Sequence, residues 1–99
     1  MILKVKKLHP DAILPSYAHQ GDAGLDIYSN ETVTIKPREA KKVKTGISME
    51  IPEGYVGLIW DKSGVAFNNK LKTLSGVADS CYRGEILLSL INLGFPYQA

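Results

Sequence analysis

The stretch Val43-Lys44-Thr45-Gly46-Ile47-Ser48-Met49-Glu50-Ile51 decides the class of fold. Its odd positions read Val43, Thr45, Ile47, Met49, Ile51, and its even positions Lys44, Gly46, Ser48, Glu50. Successive side chains of an extended chain point to opposite faces, so this alternation predicts a β-strand with one dry and one wet face. No stretch shows the 3.6-residue period of an amphipathic helix. Residues 65–71 have room for a turn or two at most.

The same period extends outward. Leu3 and Val5 between lysines predict a short first strand, and Thr32-Val33-Thr34-Ile35, closed by Lys36-Pro37, predicts another. Tyr55-Val56-Gly57-Leu58-Ile59-Trp60 is apolar on both faces and reads as a covered strand. Residues 85–93 are similar, and Ile86-Leu87-Leu88 implies burial on both sides, with another subunit as a candidate cover. Turn signals separate these runs: His9-Pro10-Asp11, Gln20-Gly21-Asp22, Pro52-Glu53-Gly54 and Arg83-Gly84. Short strands with regular punctuation predict an all-β domain of sandwich or jelly-roll type spanning residues 1–99. The run Lys41-Lys42-Val43-Lys44 is most simply the solvated face of a strand.

Composition narrows the functional classes. At 99 residues with 44% hydrophobic and 22% charged residues, the chain is an ordinary globular domain. It is small enough that oligomerisation would add useful burial. The longest mostly apolar stretch, 86–93, falls far short of the ~18–20 residues that span a bilayer. The start Met1-Ile2-Leu3-Lys4-Val5-Lys6-Lys7 has no apolar signal segment, and one cysteine, Cys81, forms no intrachain disulfide. These point to the cytoplasm, or a host's cytoplasm for a viral chain. A net charge of +2 does not suit a binder of nucleic-acid polymers. His9, His19 and Cys81 lack zinc-ligand spacing, and Cys81 has no base at recognisable spacing, so it reads as a small half-buried strand residue.

Three segments look unlike scaffolding. In Gly21-Asp22-Ala23-Gly24-Leu25-Asp26-Ile27-Tyr28 a carboxylate sits between apolar neighbours. In Trp60-Asp61-Lys62-Ser63-Gly64-Val65-Ala66 a cation, a hydroxyl and a glycine stand in sequence, a set that holds phosphate oxygens by charge, side-chain donor and bare backbone N–H. In Gly76-Val77-Ala78-Asp79-Ser80-Cys81-Tyr82-Arg83-Gly84-Glu85 an acid and an aromatic three apart are flanked by glycines, as in a hairpin that presents both to a ligand. Each alone also has a plain structural role: Asp26 as a turn cap, Ser63-Gly64 as a turn, Tyr82 as core.

Together and in this order the three resemble the motifs of the trimeric dUTP diphosphatases, or dUTPases. Ala23-Gly24-Leu25-Asp26-Ile27 resembles the first motif, Asp61-Lys62-Ser63-Gly64-Val65-Ala66 the second, and residues 76–85 the third; Pro15-Ser16-Tyr17-Ala18 extends the likeness upstream. The resemblance implies a jelly-roll (β-clip) fold, a homotrimer with active sites between subunits, and magnesium-dependent hydrolysis of dUTP to dUMP and pyrophosphate. It also implies roles. Asp79 would orient and deprotonate the attacking water, and Tyr82 would lie against the deoxyribose and exclude a 2′-hydroxyl. The backbone of a hairpin from about Thr73 to Leu87, including Val77 and Ala78, would read the uracil edge. Lys62, Ser63 and Gly64 would hold phosphates from a neighbouring subunit, and Asp26 would act on magnesium through water.

The sequence departs from the family pattern at four of these places. Lys62 replaces a frequent arginine and loses bidentate geometry. Thr73 stands where some members carry an asparagine touching the base, Cys81 replaces an aspartate, and Ala78 a larger aliphatic residue. The family continues past Ile91-Asn92-Leu93 through an Arg/Gln-containing strand and a Gly-rich arm, which are expected to be missing here, leaving the domain C-terminally incomplete. Two alternatives follow: a nucleotide-binding or regulatory module that barely turns over, and a relative of the dCTP deaminases, which Asp79-Ser80-Cys81-Tyr82 fits less well.

Overall fold

Residues 43–51 form two strands rather than one. β1 (Lys4–Lys7) pairs with β3 (Ile47–Glu50), whereas β2 (Ala40–Lys44) belongs to a different sheet. The break falls at Gly46, whose φ of +71° is a left-handed conformation that side chains disfavour. A Cβ there would lie 2.7 Å from Asn30 Nδ2 and 3.0 Å from the Ala12 Cβ. The single alternating strand is therefore broken at the join, and burial does not follow strict alternation beyond it. Ser48, expected on the wet face, is buried.

The computed structural model describes residues 1–74 and 76–94. After β3 come β4 (Gly57–Leu58), helix α1 (Ser63–Asn69), β5 (Leu71–Thr73), β6 (Val77–Ala78) and β7 (Leu87–Asn92). The strands make three small antiparallel sheets: β1 with β3, β4 with β6, and β7 between β2 and β5. The class is all-β, as expected. Ser75 and residues 95–99, on which the expectation of an early ending bears, lie outside the described residues.

Several elements differ from expectation. Residues 32–35 form no strand; their carbonyls are taken by side chains instead, Thr34 by Lys41 Nζ and Ile35 by Asn92 Nδ2, each at 2.8 Å. The expected covered strand 55–60 contracts to β4, because its partner β6 is only two residues long. Tyr55, Val56, Leu58 and Trp60 are exposed, Trp60 at 79%. β7 is half-buried rather than sealed on both faces, and Leu87 is exposed. The hairpin expected across 73–87 is also modified. Its stems pair as β5 with β7, Thr73 opposite Leu90, but between them the chain leaves the sheet so that β6 can pair with β4. The helix occupies 63–69, starting two residues before the expected 65, and buries none of its residues. Lys70 ends it in a left-handed conformation, with its N–H bonded to Ala66 O. The lysines of β2 are exposed around a buried Val43, as a solvated strand face requires.

The core gathers Ala12, Ile47, Ile51, Ala78 and Ile86, flanked by half-buried Leu3, Val5, Met49 and Ile59. Thr45 is fully buried within it, and its hydroxyl donates to Ile86 O at 2.6 Å. Ile86 N donates in turn to Ile47 O at 2.9 Å, and Gly46 N to Glu85 Oε2 at 2.9 Å. The sheet-switching corner is thus fastened to the entrance of β7. Replacing Gly46→Ala combines a left-handed backbone with crowding against Asn30 and Ala12, and should cost about 2–4 kcal/mol in denaturant unfolding. A change under about 0.5 kcal/mol would show that the corner does not need glycine.

Candidate active site

The third segment builds most of the site. β6 carries Val77 outward and Ala78 into the core, and the chain then turns at residues 79–82, with Tyr82 N bonded to Asp79 O at 3.1 Å. A hollow of ≈220 Å³ opens beside this turn, lined by Val77, Ala78, Asp79, Tyr82 and Leu87 together with Ile59, Glu85 and Ile86. Five sequence-predicted residues thus meet in one place. Asp79 is exposed, and its carboxylate accepts no hydrogen bond from the described residues. It is free to take a proton or orient a water.

The ring of Tyr82 is fixed from its far end. Its hydroxyl donates to Glu85 O at 2.6 Å. Gly84 permits this, since a Cβ there would lie 2.6 Å from the Tyr82 hydroxyl oxygen and 2.8 Å from Cζ. Glu85 is anchored by the corner through Gly46 N. Cys81 is an exposed turn residue, not the half-buried strand residue expected, because residues 79–82 turn instead of extending.

A second hollow, of ≈490 Å³, shares the Ile59 wall and is lined by Trp60, Asp61, Lys72, Thr73, Leu74 and Gly76. Of the sequence-predicted residues it holds only Thr73. Asp61 organises it: Oδ1 accepts from the Thr73 N–H and the Thr73 hydroxyl, and Oδ2 from Lys72 Nζ, all at 2.8 Å. The bond from Lys72 and then the two from Thr73 pull the Asp61 carboxyl down to about 2, against a weaker opposing effect of burial.

Lys62, Ser63 and Gly64 line neither hollow. They stand exposed where β4 gives way to α1, with Lys62 at the helix entrance. A Cβ on Gly64 would meet nothing within 4 Å, so packing within the chain does not call for glycine. Lys62 Nζ donates to Asp26 Oδ2 at 2.7 Å, and this contact raises the Lys62 pKa. Asp26 itself is held by a β-bridge to Ser16, its N–H reaching Ser16 O at 2.8 Å. The first and second segments are therefore joined through a charge pair. The sequence missed Ile59, Asp61, Lys72, Glu85 and Ile86. Asp61 lies within a segment already singled out, but its partners 11 and 12 residues on are visible only once β5 is placed.

No group of three His, Cys, Asp or Glu side chains converges among the described residues. Asp26, half-buried with one oxygen on Lys62, suits an outer contact through water and not a protein cage. Among the described residues no helix is long and apolar enough to cross a membrane.

Comparison with known proteins places these features in context. Residues 10–95 match the family model described as dUTPase. The deoxyuridine 5'-triphosphate nucleotidohydrolase of Trichodesmium erythraeum (strain IMS101) is 49% identical over 96 residues, covering 95% of this chain and 68% of that protein. The structure of the Staphylococcus bacteriophage 80alpha dUTPase with dUPNHPP matches with a TM-score of 0.90 at 38% identity, over 99% of this chain and 58% of that one. A mutant dUTPase from phage phi11 of S. aureus, whose structure concerns the coordination of a structural Mg(II) ion, matches with a TM-score of 0.90 at 38% identity, over 97% of this chain and 63% of that one. The chain thus spans about two thirds of the length of the first relative and about three fifths of the phage enzymes.

The Asp61 contacts make a prediction for acid. A carboxyl lowered from 3.8 to about 2 stabilises the fold fully above 3.8, and that contribution is lost as pH falls through about 2. The stability difference between wild type and Asp61→Asn, followed by denaturant unfolding, should be widest above about pH 4 and shrink toward pH 2. A difference that stays constant across this window would show that Asp61 is not held by these contacts.

Proposed function

The chain belongs to the dUTPase family, and from that premise we propose that it hydrolyses dUTP to dUMP and pyrophosphate, with Asp79 as the group that acts on the attacking water. The observation that carries this reading is the hollow shared by Asp79, Val77, Ala78, Tyr82 and Leu87, the residues that the family resemblance marks for water activation and nucleoside binding.

The chemistry follows from the side chains. Asp79, unpaired among the described residues and open to solvent, holds a water by one oxygen and accepts its proton as the water attacks the α-phosphorus. Pyrophosphate then leaves. The Tyr82 ring, tethered to Glu85 O, forms a wall against C2′ of the sugar, and a 2′-hydroxyl would press on it. Lys62 retains two N–H donors beyond the one on Asp26, and with the Ser63 hydroxyl and the bare Gly64 backbone it suits phosphate oxygens. The open space around Gly64 supports this role.

Magnesium is the metal proposed, carried by the triphosphate and touched by Asp26 through water. It would neutralise phosphate charge and make the pyrophosphate a better leaving group. A homotrimer is the proposed assembly. Tyr55, Trp60 and Phe67 support it, being large apolar side chains that this chain leaves exposed, and so does the position of the Lys62-Ser63-Gly64 segment outside both hollows. The free Cys81 thiol is compatible with the reducing cytoplasm proposed as its location.

Two experiments test the assignments. Asp79→Asn should lower the rate of pyrophosphate release from dUTP with magnesium by at least about 100-fold, with dUTP still bound. An unchanged rate would remove Asp79 from the mechanism. Gly84→Ala should push the Tyr82 ring from its seat and narrow the preference for dUTP over UTP, measured as a ratio of kcat/KM. If that preference survives intact, the Tyr82 tether does not set sugar selectivity.

A further inference from the structure

Asp61 stands just before the Lys62-Ser63-Gly64 segment, and its carboxylate reaches across to the end of β5. Its Oδ1 receives both the N–H and the hydroxyl of Thr73, while its Oδ2 receives Lys72 Nζ, so both carboxylate oxygens are engaged. A threonine hydroxyl has one proton and two lone pairs. With the proton committed to a carboxylate, Thr73 Oγ1 meets any ligand only as an acceptor.

Thr73 lines the ≈490 Å³ hollow, whose other walls include apolar Ile59, Trp60 and Leu74. At Gly76 the backbone closes tightly: Ile59 N donates to Gly76 O at 2.8 Å, and a Cβ on Gly76 would lie 2.7 Å from Ile59 O. With an oriented acceptor set among apolar Ile59, Trp60 and Leu74 and polar Asp61 and Lys72, the hollow suits a heterocycle presenting an N–H. This hollow adjoins, through Ile59, the one that holds Asp79 and Tyr82.

We propose that Asp61 is a positioning residue for base recognition, fixing Thr73 Oγ1 as an acceptor for a ring N–H and so favouring uracil, which carries that proton, over cytosine, whose ring nitrogen on the same edge is bare. The inference rests on the reading of the substrate as a deoxyuridine nucleotide. Two groups that can only accept, one on Thr73 and one on cytosine, would face each other without a proton between them. A site built around one oriented hydrogen bond discriminates in this way because the wrong partner leaves a polar group unpaired. The Asp61–Lys72 pair keeps the carboxylate ionised and in place, which makes the hydroxyl's direction persistent instead of one of several rotamers.

The test compares dissociation constants for dUMP and dCMP by calorimetry, so that base recognition is read apart from hydrolysis. Wild type should prefer dUMP, and that preference should fall about tenfold in both Asp61→Ala and Thr73→Val. The double variant should lose no more than either single one, because both break the same chain of contacts, and Thr73→Ser should retain the preference. A preference that survives in Asp61→Ala, or single losses that multiply in the double variant, would overturn the inference while leaving the proposed reaction standing. A wild type that does not distinguish the two nucleotides would overturn both. Should Asp61→Ala fail to fold, Thr73→Val decides alone: it keeps the Asp61–Lys72 pair, and an unchanged preference in it rejects the role.

Discussion

At Thr45 and Gly46 one strand leaves its sheet and becomes a strand of another, and everything around the site follows from how that corner is held. The backbone turns through a left-handed residue into space bounded by Asn30 and Ala12, which only a residue without a side chain fills comfortably. The polar groups freed by the turn are buried, and burial without partners would cost about 1–3 kcal/mol each. They are satisfied by residues some forty positions away: Thr45 Oγ1 and the Ile47 carbonyl bond to the Ile86 backbone, and Gly46 N bonds to the Glu85 carboxylate. Ile86 is thereby fixed in the core and half-buried Glu85 at its edge. From there the Glu85 carbonyl sets the direction of the Tyr82 ring, and Ile86 leads into β7.

Three aspartates near the proposed chemistry show how environment divides one residue type into different tasks. The Asp79 carboxylate has no bonding partner among the described residues and faces solvent. Asp26 is committed to Lys62, which ties the bridge at Ser16 to the helix entrance. Asp61 is saturated by three donors and strongly acidic as a result, which suits a structural carboxylate and would spoil a base. Proton acceptance needs a carboxylate free of donors, while orientation suits one that several donors hold in place.

Much of this was legible in the residues, for reasons that are local. Strand period, turn residues and the three segments depend on neighbours within ten positions, so the all-β class and the acid–aromatic pair Asp79 and Tyr82 are legible locally, while Val77, Ala78 and Leu87 follow only from the family resemblance. What was not legible depended on pairing. Residues 55–60 look like a buried strand because apolarity signals burial without saying which chain supplies the cover, and β6 offers only two residues of partner. Residues 32–35 look like a strand, but lysine and asparagine side chains took their carbonyls. Ile59, read as part of the covered strand 55–60, instead borders both hollows just past the end of β4.

The sequence by itself determined the all-β class, the punctuation between strands and the identity of the chemical groups, because each is written in residue types and short-range spacing. The tertiary structure alone decided where the long alternating segment breaks, which carboxylate is free and which is spent on lysine or threonine, and which way the Thr73 hydroxyl points. Those are properties of pairs brought together by folding: a hydrogen bond needs both partners within about 3 Å, and no spacing along the chain states that distance.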